Sequence, residues 1–294
     1  MRIGIYGTQL NDDFIEEVQH LIGRVSNEAQ SLCIYQDFAE ELESKGVSLS
    51  TYKPFTDHHQ LKESVDILLS IGGDGTFLNT LMLVRDNEIP VLGINTGRLG
   101  FLAYVAANNI DRSLDAIFAK EYSVKQRALL CAITQDKAFG DTNYGLNEVA
   151  VHKKDSSSMV IIHLEIDGKF LTSYWADGLI ISTPTGSTAY NLSCGGPIVA
   201  PNSDCLIITP KAPHNLTVRP LVVKDDVVIK MKVECRDRDD QFLLSLDSRS
   251  VSCNSNEEIV IKRAPFDMNI IRPEGSYFFK TLRRKLKWGV DSRN

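Results

Sequence analysis

The chain has 294 residues, 43% of them hydrophobic and 24% charged, with a formal net charge of −6. That length is comfortable for two domains. The acidic balance gives no electrostatic case for a nucleic-acid partner, and no apolar run reaches membrane-spanning length, so both classes of function are set aside.

The N-terminus, Met1-Arg2-Ile3-Gly4-Ile5-Tyr6, enters a strand pattern at once and lacks the apolar core of a secretion signal. Cys33, Cys131, Cys194, Cys205, Cys235 and Cys253 are scattered without a C-x-x-C pair, which reads as reduced thiols with no metal-ligand spacing. A cytoplasmic location is expected. After Gly7, Asn11 or Asp12 can cap a helix whose Phe14, Val18, Leu21, Ile22 and Val25 fall at helical spacing. A short helix is predicted near Asp37 to Lys45, stopped by Gly46, with a strand over Val47 to Tyr52. His58-His59 reads as a solvated loop pair, because adjacent side chains diverge and no acidic or Cys partner is near in sequence.

The next stretch is the most informative. Ile67-Leu68-Leu69-Ser70-Ile71 is a buried-strand pattern that ends in Gly72-Gly73-Asp74-Gly75-Thr76. Phe77, Leu78, Leu81, Met82 and Val84 continue as a helix, and Val91 to Ile94 as a strand, which makes one βαβ unit. Glycines admit positive φ and let a ligand approach the backbone, and a helix start favours an anion such as phosphate. Asp74 repels phosphate unless it meets a hydroxyl or a metal. Glycines for phosphate plus one acid for a hydroxyl point to phosphoryl transfer to an alcohol; a plain strand-to-helix turn with an Asp cap would carry the same letters. The pentapeptide is neither a P-loop nor G-x-G-x-x-G. It resembles that of the NAD kinases, the diacylglycerol-type lipid kinases and the 6-phosphofructokinases, and does not separate the three.

Asn95-Thr96-Gly97-Arg98-Leu99-Gly100-Phe101-Leu102 follows, either a second nucleotide loop or a domain-exit turn. A helix is predicted near Ile110 to Ala119. From about Tyr122 the pattern becomes β-rich: Ala128 to Thr134, Val149 to His152, Met159 to Ile166, Leu179 to Ser182, Cys205 to Thr209, Val227 to Val233, Phe242 to Leu246 and Ile259 to Arg263. Asp167-Gly168 is a two-residue hairpin signal, and His163 sits in the preceding strand as a packed or cross-strand residue. Glu234 to Asp240 reads as a solvated hairpin end. Tyr277 to Leu286 returns to an amphipathic helix with a basic face, expected to pack on the first domain and make it discontinuous. The expected domains are 1–121 with 275–294, α/β and carrying the glycine turn, and 122–274, β-rich.

Two polar clusters lie in the β-rich half. One is Asn147-Glu148. The other runs from Trp175-Ala176-Asp177-Gly178 through Thr183-Pro184-Thr185-Gly186-Ser187-Thr188-Ala189-Tyr190-Asn191-Leu192-Ser193 to Gly195-Gly196-Pro197. N–H groups and hydroxyls together suit phosphate and ribose, and Tyr190 can stack on a base; an ordinary Ser/Thr turn would look similar.

With these residues the resemblance becomes specific. TPTGSTAYNLSCGGPIVAP, Asn147-Glu148, APHNLTVRPLVV from Ala212 and the tail SYFFKTLRRKLKWG are similar to NAD kinase signatures; the other two families lack this second block. The resemblance implies a Rossmann-like N-terminal domain, a β-rich, sandwich-like C-terminal domain, and transfer of phosphate from ATP, or from polyphosphate, to the adenosine-ribose 2′-hydroxyl of NAD. It also implies a divalent metal, expected as Mg²⁺ with no ligands assignable, and a homodimer or homotetramer. Carried over, Asp74 is the catalytic acid that meets the hydroxyl, with Gly72, Gly73 and Gly75 at the nucleotide. Asn147 and Glu148 hold the NAD adenosine, Asp177 lies on the nicotinamide side, and Thr188, Ala189, Tyr190, Asn191, Leu192 and Ser193 form the adenine-pocket loop. Ala212 approaches NAD across a subunit interface. Asn79 stands where relatives often have Arg or His, Trp175 where some have a basic residue, and Arg249 at a variable polar ligand position. The rival readings are a kinase for a lipid or sugar alcohol and a non-catalytic nucleotide-binding regulator.

Overall fold

A computed structural model describes residues 1–49, 51–97, 100–154, 159–235, 240–275 and 277–290. The chain divides into two compact units, Met1–Gln126 with Met268–Asn294, and Arg127–Asp267.

The first unit is α/β. Its strands are β1 (Arg2–Gly7), β2 (Ser31–Tyr35), β3 (Lys53–Phe55), β4 (Ile67–Ile71), β5 (Val91–Asn95) and β6 (Val105–Ala106). They form a parallel sheet in the order β5-β4-β1-β2-β3, with β6 beside β5. Its helices are α1 (Ile15–Glu28), α2 (Gln36–Ser44), α3 (His58–Ser64), α4 (Asp74–Asn79), α5 (Leu81–Val84) and α6 (Ile110–Phe118). Val18, Leu21, Ile22 and Val25 of α1, Phe38 and Leu42 of α2, and Ile110, Leu114 and Ile117 of α6 share one core with Ile3, Ile5, Ile34, Leu69 and Leu92. Parallel strands reached through helical crossovers are buried on both faces, which explains the near-continuous burial and the mostly apolar runs of β1, β4 and β5. From β1 the chain goes to β2 and β3 on one side, then to β4 and β5 on the other. Such a reversal is where open α/β sheets bind ligands, at the carboxyl ends of the strands. Gly7 and Ile71 are in register there, so the glycine turn after β4 opens at the switch point.

The second unit is antiparallel. It holds most of β7 (Ser123–Thr134), then β8 (Tyr144–Gly145), β9 (Glu148–Lys153), β10 (Val160–Ile166), β11 (Lys169–Ala176), β12 (Gly178–Ser182), the short α7 (Tyr190–Ser193), β13 (Cys205–Lys211), β14 (Leu221–Lys224), β15 (Ile229–Glu234), β16 (Gln241–Leu246) and β17 (Arg249–Asn254). One sheet runs β14-β13-β12-β9-β16-β17. The other joins β11, β10 and β15 to the first part of β18 (Glu258–Arg272). Period-two burial in β15 and β16 turns Ile229, Met231, Val233, Phe242, Leu244 and Leu246 into a core shared by both sheets. The last residues of β18 and helix α8 (Phe278–Leu286) belong to the first unit, as expected of the basic tail.

The α/β unit, the β-rich unit and the returning helix agree with the sequence reading; several local expectations do not. The strand expected at Val47 to Tyr52 lies instead at Lys53–Phe55, where Phe55 is buried and tilts against Tyr35 at 5.7 Å. Val47 is consumed by the end of α2: its N–H donates to the Leu42 carbonyl past Gly46, which has φ +78°. His58 and His59 are not in a loop. They open α3, whose first amides are capped by Asp57. Helix α4 begins at Asp74 itself and is divided from α5 at Thr80, whose hydroxyl bonds back to the Phe77 carbonyl. Arg236 to Asp239 of the expected hairpin end, Arg98 and Leu99, and Ser276 of the tail lie outside the described residues.

The β10–β11 hairpin turns at Asp167 and Gly168, with φ +50° and +72°, and His163 faces Ser173 across it at 2.7 Å. Two consecutive positive φ values make the primed turn that matches strand twist. Gly168→Ala is expected to cost about 1 kcal/mol, because a Cβ disfavours the left-handed region. A urea-unfolding midpoint equal to wild type would contradict this.

Candidate active site

In the first unit the glycine turn divides its labour. Gly72 has φ +146°, and a Cβ there would lie 2.5 Å from Thr76 Oγ1, so only glycine fits. At Gly73 and Gly75 a Cβ would meet nothing within 4 Å, so these two leave the backbone open to a ligand. Thr76 Oγ1 also stands 3.3 Å from Thr8 Oγ1, just beyond β1, which ties the turn to the neighbouring strand end.

Asp74 is held by the loop after β5. Its Oδ2 accepts from Phe101 N at 2.8 Å, and its Oδ1 from Leu102 N and Ala103 N, each at 3.0 Å. Gly100 makes room for this: a Cβ there would lie 1.8 Å from Asp74 Oδ1. Lys285 of α8 brings Nζ to 3.6 Å from Oδ2. The sequence reading missed this lysine, because a basic helical face usually means solvent; its position three residues after the buried Leu282 was the available signal. Asn79 bonds the Tyr6 hydroxyl, and burial pushes that phenol up.

In the second unit β9 and β12 pair so that Ser182 faces Glu148 and Gly178 faces His152. Asn147-Glu148 and Asp177 therefore stand at opposite ends of the strand pair, five residues or roughly 17 Å of strand apart. Asp177 is ion-paired with Lys153 at 2.8 Å. At the other end Asn147 and Glu148 are both buried. Gly186 packs against the Asn147 carbonyl, where a Cβ would come within 2.2 Å.

A second clamped carboxylate anchors this corner. Asp247, at φ +53°, accepts from the N–H groups of Leu146, Asn147 and Glu148 at 2.8, 2.7 and 3.2 Å. Burial pushes its carboxyl up, against the pull of the three amides and of Arg249. Glu148 lies beside it without such support. Burial, then the Asp247 charge, push Glu148 up to about 8, with only the Tyr190 N–H pulling down. Its Oε2 is buried without a hydrogen-bond partner. Tyr190 sits under His152 at 5.6 Å between ring centroids, with Lys211 Nζ 5.6 Å from its ring. Burial, then Lys211, hold His152 down at about 4, so the imidazole is neutral; its Nε2 lies 2.9 Å from Ser245 Oγ.

Much of the hydroxyl-rich block is bonded within itself. Ser182, Thr183, Ser187, Asn191 and Thr209 are fully buried. Thr183 Oγ1 donates to the Leu146 carbonyl at 2.6 Å, and Ser187 Oγ bridges the N–H and carbonyl of Val199. Asn191 Nδ2 donates to the carbonyls of Ser187 and Pro197, while its Oδ1 accepts from Thr209 at 2.6 Å. The Asn191 side chain thus builds the turn. Thr188 Oγ1 reaches the Thr185 carbonyl only at 3.5 Å, and Ala189, Leu192 and Ser193 are at least partly exposed around Tyr190. Arg249 is committed too: its guanidinium donates to the Thr142 and Tyr144 carbonyls and lies 5.6 Å from the Phe139 ring. Ala212 is exposed at φ +44°, and Trp175 is 38% exposed.

The architecture is that of a two-part nucleotide kinase. A solved yeast NADH kinase in complex with NADH shares the fold, with a TM-score of 0.86 at 21% identity over 98% of this chain and 88% of that one. An NAD kinase from Archaeoglobus fulgidus solved in complex with ATP has a TM-score of 0.75 at 25% identity, covering 98% and 99%. Residues 17–122 match the ATP-NAD kinase N-terminal domain and 146–273 the C-terminal domain. An NAD kinase of Flavobacterium psychrophilum is 45% identical and one of Bacteroides fragilis 40% identical, each over 100% of both chains. The chain belongs to the NAD kinase family.

Gly100→Ala is expected to displace the Asp74 carboxylate and lower turnover at least about tenfold with the fold retained; unchanged turnover would show that the carboxylate tolerates the shift. For Glu148, a folded value near 8 against an ordinary 4.5 means that stability is full below about pH 4.5 and is lost as pH rises through about 8. Glu148→Gln should therefore gain thermal stability over wild type above about pH 8 and not in mild acid. Melting curves at the two pH values check this, and parallel profiles would refute it.

Proposed function

We propose that this chain transfers the γ-phosphoryl group of ATP to the 2′-hydroxyl of the adenosine ribose of NAD, giving NADP and ADP. The carrying observation is Asp74: a carboxylate in an open glycine turn at the sheet's switch point, with three of its acceptor positions already filled by amides. A carboxylate has about four such positions. The remaining one takes the acceptor hydroxyl, and the clamp fixes its direction. Phosphoryl transfer through a loose transition state asks for positioning and charge neutralisation, so Asp74 orients the hydroxyl and receives its proton late. Gly72, Gly73 and Gly75 belong to the same nucleotide contact.

The acceptor's remaining groups are assigned to the second unit. Asn147, Glu148 and the backbone and ring of Tyr190 take one end of NAD, with Thr188, Ala189, Leu192 and Ser193 around them, and Asp177 takes the other. The separation along β9 and β12 suits an extended dinucleotide. Asn191 supports this loop from within, and Arg249 acts through the segment it anchors. Asn79 is assigned to the nucleotide through its place on α4.

Among the described residues no group of three or more His, Cys, Asp or Glu side chains is gathered to hold a metal ion. Mg²⁺ is commonly bound through one or two carboxylates plus substrate phosphates. This donor set fits a cation that arrives with the nucleotide and stays on the substrate phosphates, since the last acceptor position of Asp74 goes to the hydroxyl; when bound, it would neutralise phosphate charge. No described helix is long and apolar enough to cross a membrane. We assign the enzyme to the cytoplasm and to a homodimer or homotetramer, in which the exposed segment at Ala212 and Leu216, the latter 85% exposed, meets a second copy.

The test is direct. The purified protein with ATP, Mg²⁺ and NAD should form NADP. Asp74→Asn keeps the size of the side chain and should lower turnover about 10²–10⁴-fold, the usual value of lost general-base help. Near-wild-type turnover in that variant would remove Asp74 from the chemistry.

A further inference from the structure

Lys285 is placed by two contacts. Its Nζ lies 3.6 Å from Asp74 Oδ2 and 4.9 Å from the centroid of the Phe101 ring. Phe101 donates its N–H to that same Oδ2, and its ring packs at 6.5 Å against Phe278 on the first turn of α8. Ammonium, ring and carboxylate form one cluster within the first unit. The side chains of Lys285 and Asp74 are 36% and 29% exposed, so a ligand can reach both.

An ion pair this exposed contributes little to stability. The separation also exceeds a good charge-assisted hydrogen bond. The ammonium is near Oδ2 but has not taken its last acceptor position, the one left for a hydroxyl. Phosphoryl transfer needs positive charge beside the oxygens of the moving group, and the glycine turn carries neither a P-loop lysine nor an arginine.

We propose that Lys285 is the cation of the transfer step, standing against the oxygens of the phosphoryl group as it passes to the hydroxyl held on Asp74 Oδ2. This rests on the phosphotransferase reading of the same site. The hydroxyl oxygen forms a bond to the γ-phosphorus. The bond from that phosphorus to its bridging oxygen breaks, and the electron pair leaves with ADP. The hydroxyl proton passes to Asp74 Oδ2 and then to solvent. Lys285 remains an ammonium throughout and donates to the equatorial oxygens, where charge spreads in the transition state. Between turnovers the Phe101 face holds it in place through a cation–π contact.

The test compares the full-length protein with Lys285→Met, Lys285→Arg, Asp74→Asn and the Lys285→Met/Asp74→Asn double variant, assayed for NADP with ATP, Mg²⁺ and NAD. Lys285→Met should lower kcat roughly 10²–10³-fold, the scale of one removed transition-state donor. KM for both substrates should stay within about threefold, as for an interaction made only in the transition state. Lys285→Arg keeps the charge and should recover part of the loss. The double variant should be little worse than the weaker single one, because groups acting in one step are not additive. Lys287→Asn, an exposed left-handed cap two residues on, removes a nearby charge and should leave kcat unchanged. If Lys285→Met does not fold, Lys285→Gln takes its place. A kcat for the charge-deleted variant within about threefold of wild type, or a loss confined to KM, overturns the proposal while the phosphotransferase reading stands. A wild-type protein that makes no NADP overturns both.

Discussion

The first unit depends on one electrostatic arrangement: the Asp74 carboxylate held by three successive backbone amides. Hydrogen bonds to a charged acceptor contribute about 1.5–3 kcal/mol each, so three of them fix both the carboxylate and the loop that supplies them. The glycines follow from it. Gly100 lies where a Cβ would overlap Oδ1, and Gly93 where one would lie 2.6 Å from Ala103 Cα as the loop passes β5. Gly72 admits the backbone bend that starts α4 at Asp74. Three glycines from separate segments thus serve a single side chain.

The second unit uses the same device for another purpose. Asp247 is also clamped by three consecutive amides, but burial outweighs them and its carboxyl is pushed up. It fixes the backbone of Leu146 to Glu148 from behind. The cost appears next door, where Glu148 is buried beside it with Oε2 unpartnered. The clamp on Asp74 leaves a fourth position open in a part-exposed side chain; enclosure makes Asp247 a brace.

What was legible in the sequence was whatever a short window carries. The βαβ unit around GGDGT, the Asp167-Gly168 turn and the amphipathic tail each announce themselves within one continuous stretch of sequence. The displaced third strand did not, because its anchor is Phe55 against Tyr35, a contact between distant segments. Asp74 was legible as a residue, but not its clamp, which comes from 27 to 29 positions on. Asp247 reaches back about a hundred positions to Leu146–Glu148 and Lys285 more than two hundred to Asp74; no periodicity encodes either. The tail resembled the family's, yet resemblance did not say that one of its lysines closes on Asp74.

In the hydroxyl-rich block several polar side chains serve the turn itself. Its Ser and Thr residues were natural phosphate and ribose ligands by type, yet Thr183, Ser187 and Asn191 spend their capacity on carbonyls and amides of the same block. A buried turn must satisfy every backbone group it turns away from water. Asn191 illustrates the constraint: Gly196 packs where a Cβ would lie 1.9 Å from Oδ1, so the amide and the glycine specify one another. With those side chains consumed inside, the turn presents the Tyr190 ring beside Lys211 on its outside, while Glu148 Oε2 stays buried without a partner.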